Sequence, residues 1–314
     1  MRGFSSWVLV GVVLAAFGCA GEKPPEETVP VASGFTFDTW FGKRVDVFGI
    51  PVHASVEASD EHVLHAAGVL AQYLDNDQDG EPDDPFLVET MLVQGARLFM
   101  GTDRDDLDRR FEAIEREQPG SLARAAWWVN PGGITPDDWS WQDLQSEEVV
   151  LVDERGGSRF DGALEEVLHL VSHVGLASAY PSAFAEAPGS RLGDAMDKMR
   201  GGQFPGVPEQ YPDGALYTYD DETCVYQCQA TEYIYWALTS LLGGQVAAER
   251  LAEIENEWRL NTAEKLSEGD PDVFALLTDP AYNLATTLPD GVYLGGPLEL
   301  VTIPAAGSED KEHQ

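Results

Sequence analysis

The chain has 314 residues, with 55 aspartates and glutamates against 19 lysines and arginines, a formal charge of −36. That balance argues against nucleic acid and anionic membrane surfaces as partners, because both repel a polyanion. It suits a protein that binds cations, tolerates salt, or stays soluble by charge alone.

Residues 1–18 carry Arg2, then an apolar run over 7–17, too short to span a bilayer, which needs about 20 residues. The pattern reads as an export signal. Gly18-Cys19 resembles the lipobox of bacterial lipoproteins. The resemblance implies an acylated Cys19 as mature N-terminus and a cell-envelope location, with the membrane met only through the lipid. Ordinary cleavage to a soluble exported protein is the alternative. Residues 19–33, with Pro24, Pro25 and Pro30 among acidic residues, read as a tether. Residues 34–304 form one globular domain, and 305–314 are a polar tail.

Residues 45–56 have the β-branched look of strand structure, broken at Gly49-Ile50-Pro51. Ser59-Asp60-Glu61 opens a helix carrying Val63, Leu64, Ala67, Leu70 and Leu74. His62 and His65 ride on it and are read as structural or surface residues.

The stretch 75–84, Asp-Asn-Asp-Gln-Asp-Gly-Glu-Pro-Asp-Asp, places oxygen ligands at alternating positions before a glycine that permits a sharp turn. It resembles the EF-hand and related D-x-D-x-D-G loops. The resemblance implies calcium held by Asp75, Asp77, Asp79 and Asp83 with the backbone carbonyl of Glu81. Phe86 stands where the bidentate glutamate belongs, which implies a trimmed structural site. A solvated acidic turn is the plain alternative.

Further helices are expected over 85–100 and 105–117. Trp127, Trp128, Trp139 and Trp141 cluster around Asn130-Pro131-Gly132-Gly133, as core residues or a cleft lining, and residues 148–154 read as a strand.

The organising stretch is 161–176, Asp-Gly-Ala-Leu-Glu-Glu-Val-Leu-His-Leu-Val-Ser-His-Val-Gly-Leu. On a helix with His169 at zero, Glu165 falls at about −40°, His173 at about +40° and Glu166 at about +60°. Leu164, Val167, Val171 and Val174 form an apolar stripe on the opposite side. Imidazoles four apart can share an ion, while a plain solvated polar face is the rival reading. The spacing resembles the H-E-x-x-H helix of the zincin metallopeptidases, although Leu170 holds the general-base position. If the site hydrolyses anything, Glu166, or second Glu165, must take the proton.

Past irregular, proline-rich residues 201–214 comes a pair, Cys224 and Cys228, for which an exported location makes a local disulfide the default. A helix follows over 230–238, where Glu232 is set among apolar and aromatic residues, costly unless paired or metal-bound. In the gluzincin branch of the zincins a glutamate on a later helix is the third ligand, and the resemblance gives Glu232 that place. Further helices are expected over 192–199, 245–260 and 270–277, with a final strand over 298–303.

These readings converge on a mainly helical α+β protein, zincin-like, with a strand preceding the metal-binding helix. The resemblance implies zinc held by His169, His173 and Glu232 and a peptide or protein substrate; Tyr217 or Tyr219, whose run leads toward the Glu232 helix, is read as steadying the oxyanion. The rival from another class is a non-enzymatic, calcium-stabilised surface lipoprotein acting in binding or as a scaffold. A di-iron bundle lacks a second Glu-x-x-His, and a carboxylate-pair glycosidase cannot be assigned its pair.

Overall fold

In the computed structural model, which describes residues 36–118, 122, 140–151 and 160–303, a one-turn helix α1 (Asp38–Phe41) leads into a hairpin of β1 (Gly42–Val47) and β2 (Ile50–Ser55). Phe48 and Gly49 make its turn with φ of 50° and 89°, the left-handed pair whose twist matches that of the strands. The break therefore precedes Pro51, which sits within β2 opposite Asp46. Helix α2 (Asp60–Leu74) buries Val63, Ala67, Leu70 and Leu74 as its apolar spacing requires.

The acidic loop joins α2 to α3 (Pro85–Gln94), so it does lie between two helices. Asp84 caps α3 by accepting from the amides of Phe86 and Leu87, and Pro85 occupies the first turn. The single helix expected over 85–100 is divided. Gly95, with φ 77°, ends α3, and Arg97–Gly101 forms β3. Leu98, Phe99 and Met100 are fully buried, as a strand covered on both faces demands. Helix α4 (Arg104–Glu117) and β4 (Trp141–Gln145) follow.

The sheet order is β4-β3-β2-β1-β5, where β5 is Val301–Thr302. Strands β2, β3 and β4 run parallel, and β1 pairs antiparallel with both β2 and β5. The strand expected over 148–154 is not found in its described part, 148–151. Glu148 closes a short 3-10 turn, Ser146–Glu148. The Val150 amide donates to the Asp161 carboxylate rather than to a sheet neighbour. The strand that precedes the histidine helix is instead β4, led by the buried Trp141; Trp127, Trp128 and Trp139 lie outside the described residues.

The histidine helix starts as α5 (Gly162–His169), continues as a π-helical stretch Leu170–Leu176 and ends as α6 (Ala177–Ala179). Short α7 (Pro181–Phe184) and α8 (Arg191–Arg200) lead across the irregular segment to α9 (Tyr226–Leu241). Cys224 and Cys228 are joined as a disulfide at its start. The helix expected over 245–260 is confined to α10 (Ala248–Ile254). Gln245 is drawn into the core to bond Thr239, and Trp258 turns back to bridge Tyr217. Helix α11 (Ala263–Gly269), capped by Thr262, was not expected; α12 (Pro271–Leu277) was. Helix α5 packs against β4, α2 and α9. The architecture is thus α+β and largely helical. No helix among the described residues is long and apolar enough to cross a membrane. Cys19 and the segments read as leader, tether and polar tail lie outside the described residues.

Candidate metal centre

Asp161 fixes where α5 begins. Its carboxylate accepts from the amides of Ala163 and Val150 and lies 2.7 Å from Nε2 of His65, both side chains being buried. A helix N-cap, the segment after β4 and helix α2 are thereby tied at one carboxyl. Farther along, Gly175 admits α3, since a Cβ there would stand 2.8 Å from Leu87 and 3.0 Å from Met91.

Between these anchors the helix presents its polar stripe to α9. One ligand-capable atom each from Glu165, His169 and Glu232 lies within 4.8 Å of the other two. Nε2 of His169 is 3.6 Å from the Glu232 carboxylate, buried and without a hydrogen-bond partner. A buried polar nitrogen left this way loses its hydration for nothing unless a ligand supplies the missing contact. The opposite ring nitrogen, Nδ1, faces the Glu166 carboxylate at 3.4 Å. Glu166 in turn accepts from the Gln142 side chain on β4.

His173 is not among the converging residues. At the ideal α-helical angle, Glu165 and His173 flank His169 symmetrically, at about −40° and about +40°. Only the N-terminal side stays α-helical. Beyond His169 the wider π turn, bonded i to i+5, changes the phase, and Nδ1 of His173 lies 2.6 Å from Glu186. Of the expected set, His169 and Glu232 come together, and Glu165 rather than His173 is the third residue beside them. His173 and Glu186 line a separate cavity of about 550 Å³.

Burial dominates the electrostatics. It pushes the Glu165 carboxyl up to about 7, with the neighbouring Glu166 charge adding and His169 opposing. Burial also pushes Glu232 up to about 8, against the pull of His169 and with Glu165 and Glu166 reinforcing it. Glu166 is raised well above the usual carboxylate range by burial and then by Asp143 and Glu148. Three crowded carboxyls would rather hold protons than charge, unless a cation joins them.

The remaining expected residues divide. Glu166 meets the far side of the His169 ring, so its role as proton acceptor at the ligand group does not fit its position. Tyr217 is buried and donates to the Gln229 carbonyl at 2.8 Å, which removes it as an oxyanion donor. Tyr219 is raised by burial and next by the Glu232 charge, and so belongs to the site's surroundings. Two participants were missed. Tyr235 bonds Glu165 and sets its ring edge-on to His169, centroids 5.8 Å apart; its place three residues after Glu232, on the same helix face, was the available signal. Gln142 carried no such signal, because its partner comes from another element.

In the acidic loop Asp75, Asp77 and Asp83 converge as a second group. Asp79 is not among them. Its amide reaches toward both Asp75 and Asp77, each at 3.2 Å, while its carboxylate accepts from the Glu81 amide at 2.9 Å. The loop is stitched to the C-terminal segment: Asn76 accepts from Thr286, Gln78 from Leu294, and Tyr293 donates to Asp75. His62 and His65 have structural partners, Ser146 and Asp161.

Set beside known proteins, the chain matches no family model, no curated protein and no solved structure.

Proposed function

We propose that Glu165, His169 and Glu232 hold one divalent cation, with zinc the ion that suits an imidazole and carboxylates at a buried site. On this reading the protein is an exported, zincin-like zinc hydrolase of the peptidase type, anchored to the envelope through Cys19. The observation that carries it is the buried, unpartnered Nε2 of His169 between two carboxylates. A bound zinc would polarise a carbonyl and acidify water. Glu166, 3.4 Å from Nδ1, is the nearest acceptor for a proton there, and a proton held on Nδ1 would leave Nε2 free to ligate; Gln142 holds Glu166 in place. Tyr235 steadies Glu165. Leu170 is buried where H-E-x-x-H places its base and Glu165 is taken up as a ligand, so no proton acceptor is assigned; Tyr219 is assigned the oxyanion.

Zinc stoichiometry tests the centre. One ion per chain is expected for wild type, and none for His169→Ala or Glu232→Ala. Equal occupancy in all three removes the site. Hydrolysis is tested separately with a peptide pool, where loss of turnover in Glu165→Gln is expected.

A second reading is a calcium-stabilised lipoprotein without catalysis, favoured by the convergence of Asp75, Asp77 and Asp83 and by Leu170. Stabilisation by calcium, with no stoichiometric zinc and no peptide cleavage, would select it.

A further inference from the structure

The ligands of the proposed centre come from two independent elements, Glu165 and His169 from the run 162–179 and Glu232 from α9. Apolar packing joins these elements and sets their coarse register. Directional bonds add a finer constraint at the level of single ligand atoms. On one side Tyr235 of α9 reaches Glu165. On the other, Nδ1 of His173 donates to one oxygen of Glu186 at 2.6 Å, and the Thr231 hydroxyl reaches the other oxygen at 2.7 Å.

The geometry points to His173, Glu186 and Thr231 as a brace that sets the separation of His169 from Glu232, making all three positioning residues of the metal centre. His173 lies one turn beyond His169, and Thr231 immediately precedes Glu232. The Glu186 side chain is 5% exposed and that of His173 10%, so water competes little for these bonds and a carboxylate acceptor makes them strong. The π-helical stretch has a purpose in this arrangement. It turns His173 from the ligand stripe toward Glu186, giving up a possible ligand for a link to the second helix. The inference rests on the metal-centre reading.

Cobalt(II) titration of the full-length chain, followed by visible absorption, separates the two. Loss of binding in Glu232→Ala is the expected result and supports the centre itself; wild-type cobalt binding by that variant overturns both the centre and the brace. Given that loss, Thr231→Val should bind cobalt about 10-fold to 100-fold more weakly, the range expected when support of a ligand is removed, with a changed absorption band. Thr231→Ser, which restores the hydroxyl, should return both to wild type. A purely structural role would lower the melting temperature of Thr231→Val and leave the affinity and spectrum of the folded protein unchanged, and that result overturns the brace. If Thr231→Val fails to fold, Glu186→Gln replaces it. This isosteric variant lines the cavity and weakens the acceptor for His173; a shifted band and weaker binding support the brace, and wild-type behaviour overturns it.

Discussion

Glu165→Gln should stabilise the metal-free protein at alkaline pH while abolishing its response to zinc. Burial and the Glu166 charge raise the Glu165 carboxyl from 4.5 to about 7. Between those values the folded chain holds a proton that the unfolded chain has released, so stability falls as pH rises through this window and levels off above it. A rise of that size corresponds to about 3 kcal/mol. Glutamine keeps an acceptor for Tyr235 and does not titrate. The variant and wild type should therefore unfold alike near pH 4, and by pH 8 the variant should be the more stable by about 3 kcal/mol. Wild type should regain about 2.7 kcal/mol with zinc at 100 times its Kd, and the variant nothing. Urea unfolding at pH 4, 6 and 8, with chelator and then with zinc, reads both effects. A variant less stable than wild type at pH 8 without metal, or one protected by zinc to the same degree, would refute the reasoning.

Other consequences are simpler to read. Asp161→Ala removes the α5 cap and leaves His65 without its partner, with an expected loss of about 3 kcal/mol or more by urea unfolding. In Gly68→Ala the new methyl would stand 2.1 Å from the Gly291 carbonyl oxygen, and a melting curve should show a loss of about 1 to 3 kcal/mol. Replacing both Cys224 and Cys228 by serine opens a loop of about five residues, for which chain entropy gives about 2 kcal/mol; reductant should shift the wild-type melting curve similarly and leave the double variant unmoved. Calcium should raise the melting temperature of wild type more than that of Asp75→Asn, and equal shifts would exclude the loop as its site.

The amphipathic helices were legible because each carries its own signal. Val63, Ala67, Leu70 and Leu74 recur at helical spacing and are buried accordingly, and Asp270-Pro271 opens α12 as its chemistry requires. Strands β3 and β4 were not legible. Leu98-Phe99-Met100 suits a buried helix or a buried strand equally, and only its parallel partners, residues 52–54 and 141–145, decide between them. Val149 and Val150 look like a strand and are buried, yet the Val150 amide is taken by Asp161, a residue 11 positions on. At the site, the helix, His169 and the distant Glu232 could be read from residue type and spacing. The replacement of His173 by Glu165 could not, because their angles from His169 are equal on an ideal helix, and what separates them is a π turn that no residue in 170–176 announces.

That π turn and the raised carboxyls bear on the same question, what the buried stripe is for. A fold selected for stability alone would gain by replacing Glu165, Glu166 or Glu232 with a neutral side chain, since each is held above its usual range by burial and most are raised further by one another. His169 is the one partner that opposes the rise at both Glu165 and Glu232, and its Nε2 nevertheless has no hydrogen bond to either. One divalent cation at that point would resolve both difficulties, neutralising the two carboxylates and taking the imidazole lone pair. The same ion would couple stability to pH and to metal supply. Below neutrality protons would compete with it for Glu165 and Glu232, and above neutrality its binding would relieve the repulsion between the two carboxylates.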